Sequence, residues 1–122
     1  MNELGFQEVY SVARQLLLTQ NKKSSVASDG EGMCLYRSPD GCKCAIGALI
    51  KDEFYTPNLE YKDCNSISVG DALEHSGVSK EVMNTVGFLR GLQIIHDEFP
   101  VNEWEARLND FAVKWKLEIN GN

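Results

Sequence analysis

The chain has 122 residues, 43% hydrophobic and 25% charged, with 12 basic and 18 acidic side chains and a formal net charge of −6. Such a chain fits one globular domain, residues 1–122, able to fold around its own core without a disulfide or a metal. The negative balance excludes general binding to nucleic-acid phosphate unless the few cations are clustered, and no apolar run approaches the ~20 residues of a membrane span.

The first residues, Met1-Asn2-Glu3-Leu4-Gly5, lack the basic and apolar regions of a secretory signal. A reducing cytoplasm is therefore expected, with the cysteines as thiols. From Phe6 to Gln20 the residues Phe6, Val9, Tyr10, Ala13, Leu16 and Leu17 recur at the three-and-four spacing of one helical face. The polar run Asn21 to Ser25, followed by Gly30 and Gly32, predicts a flexible loop. Met33 to Arg37 and Cys42 to Ile46 flank Ser38-Pro39-Asp40-Gly41, whose turn chemistry predicts a short β-hairpin. The apolar run Ala45 to Ile50 is too short to assign by period; it either extends the second arm or forms a short helix, and a helix beginning near Cys44 is preferred.

Lys51 to Ser66, with Pro57, reads as a surface loop. Ser68 and Asp71 have the spacing of a capping box for a short helix that Gly77 stops. Ser79 then caps a longer helix from Lys80 to Glu98. Val82, Val86 and Leu89 form one apolar stripe on it, Phe88, Leu92, Ile95 and Phe99 another, and Pro100 ends it. The last helix has Asn102 as N-cap, Glu105 three residues on, and one face of Trp104, Leu108, Phe111, Ala112 and Trp115. The expected fold class is α+β: a mainly helical single domain of about four to five helices with one short β-hairpin. A lone hairpin is marginally stable, so it must lie on the helices or pair with a second copy in a homo-oligomer.

Four cysteines could carry chemistry. Cys34, Cys42, Cys44 and Cys64, with His75 or His96 as further ligands, could form a zinc site, but the spacing C-x7-C-x-C is not a pair of C-x2-C knuckles. Buried cysteines acting as small hydrophobes explain the same residues. Cys44 at a helix start could alternatively be a nucleophilic thiolate with His96 as its base. Tyr36, Arg37 and Lys43, near Lys51 and Tyr55, make the densest cationic and aromatic spot in an acidic chain. They are the candidate ligand-binding residues for a phosphorylated small molecule, although an ordinary exposed hairpin would look alike. Arg90, among Phe88, Leu89 and Leu92, is a second candidate cation that could instead pair with Asp71 or Glu74. Asp97, Glu98, Glu103, Glu105 and Asp110 form an acidic edge of the kind solvent covers. There is no P-loop, G-x-G-x-x-G, H-E-x-x-H or G-x-S-x-G pattern. No cofactor is indicated, and an enzyme is the less favoured reading.

The segments Cys34-Leu35-Tyr36-Arg37, Lys43-Cys44-Ala45-Ile46-Gly47-Ala48-Leu49-Ile50, Leu89-Arg90-Gly91-Leu92-Gln93-Ile94-Ile95-His96-Asp97 and Trp104-Glu105-Ala106-Arg107-Leu108 resemble an uncharacterised family of small accessory proteins encoded in bacteriophages and prophages. Cys42 lies outside that pattern. The resemblance implies a viral protein in a bacterial host cytoplasm. It suggests action by binding: interference with a host defence process through a host protein or a phosphorylated signal molecule.

Overall fold

The computed structural model describes residues 3–24, 35–39, 41–60, 62 and 66–119. Five α-helices lie among the described residues: α1 (Phe6–Gln20), α2 (Ile67–His75), α3 (Lys80–Asn84), α4 (Phe88–Glu98) and α5 (Trp104–Trp115). Single 3-10 turns at Gly47–Leu49, Asp52–Phe54 and Pro57–Leu59 join α1 to α2, and another at Val101–Glu103 leads into α5.

α1, α4 and α5 pack on one another, and the reason is legible in their faces. Val9, Tyr10, Ala13 and Leu17 of α1 are buried, as are Trp104, Leu108, Phe111 and Ala112 of α5. Phe88 of α4 meets Phe6, Phe111 and Trp115 edge-on at 4.9, 5.2 and 5.1 Å between ring centroids, the offset geometry aromatic quadrupoles favour. Polar atoms at this seam are satisfied: the Tyr10 hydroxyl donates to the Leu108 carbonyl, and Arg14 donates to the Tyr10 hydroxyl and to Asn109 Oδ1. Trp104 is wholly buried and its Nε1 donates to the Phe99 carbonyl. Val69 and Leu73 of α2 and Val82 of α3 close the same core. The chain before α1 is tied to the α2–α3 corner, where Leu4 exchanges backbone hydrogen bonds with Gly77 and Ser79. At the far end, the Gln7 amide donates to the Glu118 carbonyl and accepts from its N–H, both at 2.9 Å.

The expected α+β class is corrected: no strand forms among the described residues, and the hairpin is reduced to one antiparallel bridge between Arg37 and Lys43. Ser38 N–H reaches the Cys42 carbonyl and Cys44 N–H the Tyr36 carbonyl, but the ladder stops there. The Tyr36 and Arg37 N–H groups donate to the two carboxylate oxygens of Glu60 instead. Lys43 N–H goes to Gln20, and the Cys44 carbonyl accepts from Ala48 as the chain coils. Backbone groups met by side chains and by a tight turn leave nothing for a second arm to bond. The turn from Cys44 into Gly47–Leu49 accords with a helical rather than an extended apolar run. Gly47 is required there, because a Cβ on it would stand 2.1 Å from the Tyr36 carbonyl oxygen.

The single long helix expected from Lys80 to Glu98 is two helices. Thr85 is extended, its hydroxyl turned back to the Glu81 carbonyl, and Gly87 has φ of 87°, a left-handed conformation that glycine alone adopts freely. Val86, expected in an apolar stripe, is 94% exposed on the connection. Caps differ in detail. Ser79 caps α3 as expected, α2 is capped two residues early by Ser66, and a 3-10 turn rather than Asn102 starts α5.

Candidate functional site

The expected ligand residues Tyr36, Arg37 and Lys43 are brought together, but two of them are spent on the fold. Tyr36 is buried and its hydroxyl donates to the Lys62 carbonyl. The Arg37 guanidinium lies over the Tyr55 ring, pairs with Asp52 at 2.8 Å and donates to the Ile50 carbonyl. Its Nε is buried without a hydrogen-bond partner among the described residues. Glu60, besides taking the Tyr36 and Arg37 N–H groups, accepts from the Tyr55 hydroxyl at 2.6 Å. Burial, reinforced by Glu60, pushes the Tyr55 phenol up to about 12. Lys43 is half-buried, and the Gln20 amide holds its backbone from both sides. Tyr36 and Arg37 thus shape the segment 50–62 rather than face solvent. Arg90 is exposed on α4, not buried among its apolar neighbours.

Cys44 is fully buried, and its sulfur accepts the Gly47 N–H at 3.3 Å. Desolvation raises its thiol from the ordinary 9.0 to about 12, against the weaker opposing effect of that hydrogen bond. His96, its candidate base, is also fully buried. Its Nε2 accepts the Ser24 backbone N–H at 3.0 Å, so Nδ1 carries the proton and donates to Asp97 at 2.7 Å. The lone pair a base would use is therefore occupied. Cys42 is buried, whereas Cys34 and Cys64 lie outside the described residues. Among the described residues no group of three or more His, Cys, Asp or Glu side chains is placed to hold a metal ion.

A groove of about 360 Å³ lies between α2 and the residues Phe54 to Glu60 with Lys62. Ser68, Asp71, Ala72 and His75 line it at i, i+3, i+4 and i+7, one face of α2. Phe54 stands beside His75, their ring centroids 5.4 Å apart. The Lys62 ammonium stands 3.4 Å from the Ser68 hydroxyl. His75 Nδ1 bonds to the Asp71 carbonyl, an obligate acceptor, so Nδ1 carries a hydrogen, and in the neutral ring Nε2 is the acceptor. The groove and the expected site are one construction. Tyr36 fixes the Lys62 backbone, while Arg37 ties Ile50 and Asp52 on the approach to Phe54. Phe54, Lys62, Ser68 and Asp71 were not apparent as site residues in the sequence, although the polar stripe 68, 71 and 75 is a readable helical spacing. No family model, curated protein or solved structure matches the chain, and no helix among the described residues is long and apolar enough to cross a membrane.

Proposed function

We propose that this chain is a phage-type accessory protein that acts by binding, holding a phosphorylated small molecule in the groove beside α2 and so withdrawing it from a host defence process. The observation that carries the reading is the groove itself: a cleft lined by the Lys62 ammonium together with the Ser68 hydroxyl and the His75 imidazole of α2. A small ligand site has this character, a few converging polar groups on a partly apolar wall. Binding is favoured over covalent chemistry because Cys44 is held as a thiol away from solvent and the His96 lone pair is engaged. The host compartment and the viral origin rest on the family resemblance.

Native mass spectrometry of the protein mixed with the small-molecule fraction of a bacterial extract tests this. A retained mass increment, lost in Lys62→Ala, is expected, and the same spectrum reads the oligomer. A bare mass with every fraction would overturn the reading and direct the search to a host protein.

A further inference from the structure

We propose, building on that reading, that the groove takes a nucleoside 5′-monophosphate, base against Phe54 and His75, phosphate against the neighbouring Lys62 ammonium and Ser68 hydroxyl. The lining is polarised along α2. Ser68 and His75 are seven residues apart, which at 1.5 Å per residue is about 10 Å, the length of an extended mononucleotide. At one end are the Lys62 ammonium and the Ser68 hydroxyl, beside the first turn of a nine-residue helix whose N–H groups favour an anion. At the other end Phe54 and His75 form a continuous aromatic wall, their rings tilted by 37°, on which a base can stack. His75 is held in orientation by its bond to the Asp71 carbonyl and presents Nε2 as an acceptor.

Asp71 fixes the direction. It lines the groove at the helix position between Ser68 and His75, where a carboxylate repels a phosphate and accepts from sugar hydroxyls, as acidic residues do in nucleotide sites. A phosphate therefore goes to the Lys62 end and the base to the other. The volume, about 360 Å³, lies at the small end of the usual range for ligand sites and is enough for one mononucleotide.

Isothermal titration with adenosine 5′-monophosphate, guanosine 5′-monophosphate, adenosine, ribose 5-phosphate and inorganic phosphate tests the assignment. A nucleotide is expected to bind at least about tenfold more tightly than ribose 5-phosphate or adenosine, reflecting stacking on one side and charge on the other. Phe54→Ala should abolish the advantage over ribose 5-phosphate. Ser68→Asp places a carboxylate in the first turn of a helix, where it does not disturb folding. It should reduce nucleotide binding at least tenfold and leave adenosine unchanged. If ribose 5-phosphate binds as tightly as the nucleotides, or Phe54→Ala has no effect on a folded protein, the nucleotide assignment falls while the phosphorylated-ligand reading stands. If no phosphorylated probe binds, the nucleotide assignment falls, and the phosphorylated-ligand reading falls with it when the protein also retains no mass from any fraction of the extract.

Discussion

Cys44 and His96 show how burial decides what a reactive residue type can do. With its pKa raised from 9.0 to about 12, the Cys44 thiol has roughly a thousandfold less thiolate at neutral pH than an ordinary cysteine. Iodoacetamide labelling mapped by mass spectrometry should therefore leave Cys44 unmodified in the folded protein and label it rapidly in urea. The same shift makes stability pH-dependent. The neutral thiol is the favoured form in the fold, so its contribution is complete below pH 9 and is lost as the pH rises towards about 12. Cys44→Ala should lose stability less steeply than the parent between pH 9 and 11, as read by urea denaturation at a series of pH values. His96 is a structural acceptor: His96→Phe leaves the Ser24 N–H without a partner and should cost about 2 kcal/mol, measured by the same denaturation.

Among the elements, two glycines carry different physical demands. Gly87 needs only its left-handed φ, with nothing within 4 Å of a new Cβ, so Gly87→Ala should cost about 1 kcal/mol. Gly47 has the Tyr36 backbone in the way. Gly47→Ala should cost about 3 kcal/mol or more and loosen the Tyr36–Lys62 bond, which thermal melts and nucleotide titration would both register. These positions also mark the limits of reading the sequence. α1 and α5 were legible to within a residue or two, because each has one apolar face at constant period. The break at Thr85 to Gly87 was hidden because Val82, Val86 and Leu89 keep a helical spacing across it, although Val86 is exposed there and only Gly87 carries a local sign of the left-handed turn. The hairpin failed for a nonlocal reason. Glu60, more than twenty residues away, takes the N–H groups of Tyr36 and Arg37, and turn chemistry at Pro39 and Gly41 carries no information about that. The cationic and aromatic residues Tyr36 and Arg37 were legible in the sequence, but their bonds to Lys62, Ile50 and Asp52, which shape the wall of the groove beside α2, were not.

Across the whole molecule, α1, α4 and α5 form the frame, and the segment from Leu35 to Lys62 rests on it through Ile46, Leu49, Ile50 and Leu59. Trp104 is central to that frame, stacked on His96 at 5.4 Å and wholly buried. Trp104→Ala should cost about 3–5 kcal/mol and release His96 from its aromatic partner. The Gln7 clasp on the Glu118 backbone has a consequence of another kind. It places residues 111 positions apart in sequence side by side, so the two ends of the described chain share one corner of the surface. Circular permutation is then open to this fold. A linker joining Ile119 to Glu3, with new ends cut at Thr85 to Gly87 where no helix is interrupted, should yield a chain with the same helical circular dichroism and an unaltered groove.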